Sequence, residues 1–112
     1  MTKNIYINDI AFNQIINNNK NIEGRLLRGL FKNLKEKEII QFVCNKTKKK
    51  CNALINSIVI YNSIHCFLEN ENMNCIIHNC KGSEHALNIY KKHYPKILDN
   101  KFKIIAIHFT KI

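Results

Sequence analysis

Hydrophobic positions along this chain change period several times, and each change marks an element. "KNIYI" alternates weakly between apolar and polar residues and reads as a short strand. In "NDIAFNQIINN", Ile10, Phe12, Ile15 and Ile16 are spaced for one face of a short helix, with Asn8 or Asp9 as its cap. "KNIEGRL" reads as extended. Gly29 marks a turn, a short helical piece follows through Phe31 and Leu34, and Ile39 to Cys44 reads as a strand. "NKTKKK" breaks the apolar pattern as an exposed hairpin tip would. "CNALINSIVIYN" then continues as a long strand rich in β-branched residues.

From Ser63 the period lengthens. "SIHCFLENE" opens on a Ser cap and has helical spacing at Ile64, Phe67 and Leu68. "SEHALNIYKKHYP" is the clearest helix: Ser83 can cap it, Ala86, Leu87, Ile89, Tyr90 and Tyr94 form its apolar face, and Pro95 ends it. "KFKIIAIHFTKI" is a long apolar strand with Ile104, Ala106, His108 and Thr110 on one face. No internal repeat or linker interrupts the series. Strands with helices inserted between them imply a single α+β domain over residues 1–112, built on a small curved sheet or barrel.

Composition narrows the function classes. The 112 residues suit one modest core, and no apolar run reaches the length of a membrane span, "ALINSIVIY" being cut by Asn56 and Ser57. "MTKNIYINDI" lacks the basic flank and apolar core of a signal peptide, so an intracellular place, cytoplasm or nucleus, is expected, with no membrane partner. The formal charge of +10 favours polyanions, and RNA or DNA is the usual intracellular one; a drift toward Lys, Asn and Ile is the competing explanation. Five cysteines without a secretion signal imply reduced thiols.

The stretch "NNNKNIEGRL" raises the sharpest question. If residues 21–27 form a strand, Glu23 and Arg25 share a face, while Ile22, Gly24 and Leu26 share the other and anchor it to the core. Gly24 would leave room for another backbone or a ligand. Lys20 has the wrong parity and can reach Glu23 only from the preceding turn. The trio is either one wall of a polar site or a surface ion pair of little consequence.

Taken as a whole, the chain resembles the ASCH domain, the activating-signal-cointegrator homology family of the PUA-like superfamily. "NNKNIEGR" is similar to that family's G-x-K-x-x-E-x-R motif at Lys20, Glu23 and Arg25, with Asn18 in place of the Gly. "FKNLKEKEIIQF" resembles the following turn and strand, with Lys37 and Glu38 in place of Gly-Asp. "IVIYNSIHCFLENEN", "SEHALNIYKKHYP" and "FKIIAIHFTKI" resemble the later segments in order. The resemblance implies a small PUA-like β-barrel with flanking helices and a positively charged cleft for RNA or a nucleotide. Some bacterial members are amidohydrolases that deacetylate N4-acetylcytidine with a Lys, a Thr and a Glu. Lys20 and Glu71 match two of these, and Glu23 occupies the Thr position. Other members have been proposed to be ribonucleases.

Two functions follow as expectations. As a binding module, Lys20 and Arg25 meet phosphate or a carbonyl, Glu23 accepts from a base amino group, and Tyr61 at a strand end stacks on a base. As an enzyme, Lys20, Glu23 and Glu71 are the catalytic candidates, with Glu23 placing a water. Glu at position 23 tilts the choice toward binding. No cofactor is expected, and a monomer is the expected state. "CIIHNC" offers Cys75, His78 and Cys80 in a spacing that matches no paired zinc pattern, so no metal site is assigned.

Overall fold

A computed structural model describes residues 2–99 and 102–112. Five strands and four helices follow in the order β1 (Lys3–Ile7), α1 (Asp9–Ile16), β2 (Ile22–Leu26), β3 (Ile39–Cys44), β4 (Lys50–Tyr61), α2 (Ile64–Asn70), α3 (Met73–Ile76), α4 (Ser83–His93) and β5 (Ile104–Lys111), with a 3₁₀ turn at Gly29–Asn33. They form one sheet in the order β1-β3-β4-β5-β2, parallel only where β1 meets β3. The sheet curls into a half-barrel, as expected for a small PUA-like α+β domain.

The apolar runs explain which strands are central. On β5, Ile104 and Ala106 pack against α2, α3 and α4, while Ile105, Ile107 and Phe109 pack into the core under α1. A strand buried on both faces needs a continuous apolar run, and "IIAI" supplies it. The core under α1 centres on Ile5, Ile40, Phe42 and Ile55, with the Phe42 and Phe109 rings 4.8 Å apart. On the other face, Phe67 packs edge-on against both Tyr61 and Tyr90. A bulge between Ile55 and Ser57 shifts the β4–β5 register and re-aims the last third of β4.

Caps follow the sequence in two cases and depart in one. The Asn8 carboxamide accepts from Ala11 N at 2.7 Å, and Ser63 Oγ accepts from Cys66 N at 3.2 Å. Ser83 does not cap α4; it is the first helical residue, and Gly82 holds the cap position at φ 127. A side chain would be strained at that positive φ, so glycine suits the position, and it leaves no side-chain acceptor for the first turn. The four-residue α3 was not legible in "MNCI". Its Asn72 side chain accepts from Asn74 N at 3.1 Å, and Ile76 docks into the core.

Candidate ligand-binding cleft

Alternation along β2 sorts its side chains as expected. Ile22 and Leu26 are buried on the α2–α4 side, and Glu23 pairs with Ile107, whose side chain lies under α1. Glu23 and Arg25 therefore project to the same side as α1. Gly24 has a different reason from the one its sequence suggested. A Cβ there would lie 2.4 Å from Phe67 Cζ and 2.6 Å from the Tyr90 hydroxyl, so the glycine makes room for two rings of the core rather than for a ligand.

Lys20 comes from the turn after α1, and its ammonium has three acceptors. It donates to the carbonyls of Ile22 at 2.8 Å and Ile76 at 2.7 Å, and lies 2.9 Å from Glu23 Oε1. An ammonium has three protons, so its donor capacity is filled. The other carboxylate oxygen, Oε2, accepts from Arg25 Nε at 2.7 Å. Both Lys20 and Glu23 are buried, a state tolerated only when charges are paired. Burial pushes the Glu23 pKa up, but Lys20 and Arg25 outweigh it and hold the carboxyl below its ordinary value. Burial likewise opposes the Arg25 charge, and Glu23 more than restores it.

Arg25 also reaches across the open side of the half-barrel. Its Nη2 donates to the Tyr6 carbonyl at 2.8 Å, and its guanidinium lies 5.4 Å from the Phe31 ring centroid. β1 and β2 are the two edges of the sheet, so this bond spans the seam between them. A cavity of about 560 Å³ opens there. Lys20, Glu23, Gly24 and Arg25 line it from β2 and the turn before it; Tyr6, Asn8, Ile10 and Gln14 line it from β1 and α1. Asn45 contributes from just after β3, Ile76 and Ile77 from the end of α3 and its cap, and Tyr90, Lys92, His93 and Tyr94 from the last turn of α4 and its cap. The Tyr90 hydroxyl is held well above its ordinary pKa by burial and by the Glu23 charge, so it stays neutral.

The sequence-derived candidates separate into two groups. Lys20, Glu23 and Arg25 meet in the cleft. Tyr61 and Glu71 do not line it: the Tyr61 hydroxyl donates to Glu71 Oε2, and Glu71 Oε1 lies 3.0 Å from His108 Nε2. His108 shares its face of β5 with Ala106, opposite to Ile107 and hence to Glu23. The His108 nitrogen is close to the carboxylate but off the line of a directed hydrogen bond, so this is a charge contact if the ring is protonated. Burial first, then the Glu71 carboxylate, raises the Tyr61 pKa to about 12. Tyr6, Lys92 and His93 were not singled out from sequence, and Tyr90 and Tyr94 were read only as an apolar face. Among the described residues, no three His, Cys, Asp or Glu side chains converge as a metal site would require.

No protein-family model matches the chain, and no curated protein does. Solved structures do. The hypothetical protein PH0355 superposes with a TM-score of 0.87 over 100% of both chains, at 24% identity. Protein PF0455 from Pyrococcus furiosus gives 0.77 over 100% of this chain and 98% of its own, at 23% identity. ASCH from Zymomonas mobilis gives 0.64 at 13% identity, covering 97% of this chain and 68% of that one. This chain has the ASCH fold.

Two positions at which the sequence differs from the motifs it resembles have an unusual backbone. Asn18, in place of the motif's first Gly, has φ 62, and Lys37, in place of the second, has φ 70. Both are in the left-handed conformation that glycine adopts freely and asparagine tolerates best among other residues. Glu38, in place of the Asp, accepts from Lys35 N at 3.1 Å and pairs with Lys3 at 3.1 Å.

Proposed function

We propose that the seam cleft binds RNA or a nucleotide, recognising the base at Glu23 and Arg25. The observation that carries this reading is a buried carboxylate fixed between two cations at one wall of a cavity large enough for a nucleotide. Each Glu23 oxygen has a further lone pair, and Arg25 Nη1 has no partner among the described residues. An acceptor and a donor therefore stand side by side, a pattern complementary to a base edge that carries an amino group beside a ring acceptor. Tyr6, half exposed, and Tyr94 supply rings at the rim, and Lys92 with the net +10 charge supplies attraction for phosphate. Lys20 acts behind this wall, holding Glu23 ionised and oriented rather than meeting the ligand.

Binding should weaken steeply as salt rises, and Arg25→Glu should abolish it. Titration of labelled single-stranded RNA against the folded protein at several salt concentrations is the test; affinity indifferent to salt, or none at low salt, would refute the reading. Deacetylation of N4-acetylcytidine by Lys20 and Glu71 has less behind it, because the Lys20 protons are engaged and Glu71 faces the other side of the sheet. Cytidine release that persists in wild type and disappears in Lys20→Ala would reverse that preference.

A further inference from the structure

Beside the cleft stands a feature that nucleotide binding leaves unused. The hairpin between β3 and β4 exposes Lys46, Lys48, Lys49 and Lys50. Its tip is closed by Lys48 N to the Cys44 carbonyl and Cys44 N to the Lys49 carbonyl, both 2.9 Å, with Lys48 at φ 64. The only carboxylate near these four ammonium groups among the described residues is Asp9, 3.9 Å from Lys46 Nζ. Cations held this close on a short, hydrogen-bonded turn repel one another, and none of them is buried to support the core.

The hairpin is joined to the cleft. Asn45, its first residue, lines the cavity and donates to the Ile7 carbonyl at 2.8 Å. Asp9, which meets Lys46, opens α1, whose Ile10 lies at the cavity wall. Across the cavity, α4 presents Lys92 and His93, and the Arg28 guanidinium lies 5.5 Å from the Tyr94 ring centroid. Positive groups therefore continue on both sides of the cavity. A single nucleotide whose base sits against Glu23 and Arg25 has Lys92 near for its phosphate, and it leaves the hairpin untouched.

We propose that the ligand is a single-stranded polynucleotide whose base enters the cleft while neighbouring phosphates lie on the Lys46–Lys50 hairpin. The inference rests on the cleft reading above and adds the class of ligand to it. An acidic protein segment would meet the lysines equally well, but it would have nothing to place between the rim tyrosines and the Glu23–Arg25 wall.

The test compares RNA of about ten nucleotides with AMP and CMP, by anisotropy and calorimetry, against wild type, Lys46→Gln/Lys49→Gln/Lys50→Gln and Tyr6→Ser. Lys48 is left alone because of its backbone conformation, and Tyr6→Ser changes an exposed ring while keeping the carbonyl that Arg25 holds. The oligonucleotide should bind wild type at least about a hundredfold more tightly than either mononucleotide. The triple variant should narrow that gap and lower the slope of log K against log salt by about 2, three contacts at roughly 0.7 each. Tyr6→Ser should weaken the oligonucleotide with little change of slope. A triple variant equal to wild type, with Tyr6→Ser still weakened, would overturn the hairpin track and leave the cleft reading standing. Weakening by the triple variant alone would overturn both, since the lysines would then be holding polyanions without the cleft. Equal competition by polyglutamate of matched charge would also overturn the proposal.

Discussion

Arg25 on β2 and Tyr6 on β1 belong to opposite edges of one sheet, and a 2.8 Å hydrogen bond from Arg25 Nη2 to the Tyr6 carbonyl joins them across the seam. The same guanidinium holds Glu23, so one side chain closes the half-barrel and orients the carboxylate of its cleft.

Arg25→Gln should therefore destabilise the fold as well as the site. It removes the seam bond and leaves Glu23 with Lys20 alone, a loss of about 2–4 kcal/mol for a largely buried pair that keeps one partner. Urea denaturation followed by circular dichroism reads it directly. A change within about 0.5 kcal/mol, the scale of an ordinary surface substitution, would show that the seam is held by packing instead.

Glu23 should leave an acid signature. Its folded-state pKa lies below the ordinary carboxylate value because Lys20 and Arg25 outweigh burial. The stability this supplies is present above the unfolded-state pKa and disappears as pH falls through the folded one. Stability should fall on the acid side of about pH 4.5, by up to about 1.4 kcal/mol per pH unit for one proton. Glu23→Gln should flatten that limb. Glu38, whose pKa is also lowered, contributes in the same direction, so the variant should reduce the slope without removing it.

Gly24→Ala should be severe despite adding one methyl group. The new carbon would fall 2.4 Å from Phe67 Cζ and 2.6 Å from the Tyr90 hydroxyl, atoms of a packed core. A cost of at least about 2 kcal/mol is expected. Phe67→Leu in the same chain should recover part of it. Equal stabilities of Gly24→Ala and wild type in thermal melts would refute this account of the glycine.

Lys37→Gly should stabilise the protein. Lys37 is held at φ 70, where a side chain clashes with its own backbone, and its N–H bond to the Ile55 carbonyl at 2.8 Å is kept by glycine. Relief of the left-handed strain, partly offset by the greater freedom of glycine in the unfolded chain, leaves a gain of about 0.5–1 kcal/mol. A lower denaturation midpoint would show that the Lys37 side chain has a contact worth more than the strain.

At alkaline pH, Tyr61 should titrate late. Its pKa is raised to about 12 by burial and by Glu71. A group whose folded pKa exceeds its unfolded one adds stability below the unfolded value, near 10, and loses it as pH rises toward the folded value. Tyr61→Phe should remove one late-titrating phenol from the ultraviolet difference spectrum and flatten the stability curve between these limits. Tyr90, also raised, should remain in the spectrum as a late-titrating phenol.

Most of the scaffold was written locally. Weak alternation in "KNIYI", the apolar run from Ile39 to Cys44, helical spacing in "SEHALNIYKKHYP" and caps at Asn8 and Ser63 depend on residues within a few positions of one another, and the structure has these elements where the patterns put them. The parity of β2 likewise determined that Glu23 and Arg25 share a face. Pairing order was not local. That β1 and β2 become the two edges, and that the gap between them is a cleft, follows from the curl of the whole sheet. Lys20 shows the same division. Its wrong parity was legible, but the Ile76 carbonyl that completes its coordination comes from 56 residues away, on a helix too short to carry a period. Glu71 was grouped with Lys20 by the family resemblance and Tyr61 by its place at a strand end, whereas alternation on β5 carries their neighbour His108 to the opposite face. Sequence alone determined which side chains could be charged, buried or paired with near neighbours. The tertiary structure decided which distant ones meet, because a curled sheet brings together residues that no periodicity relates.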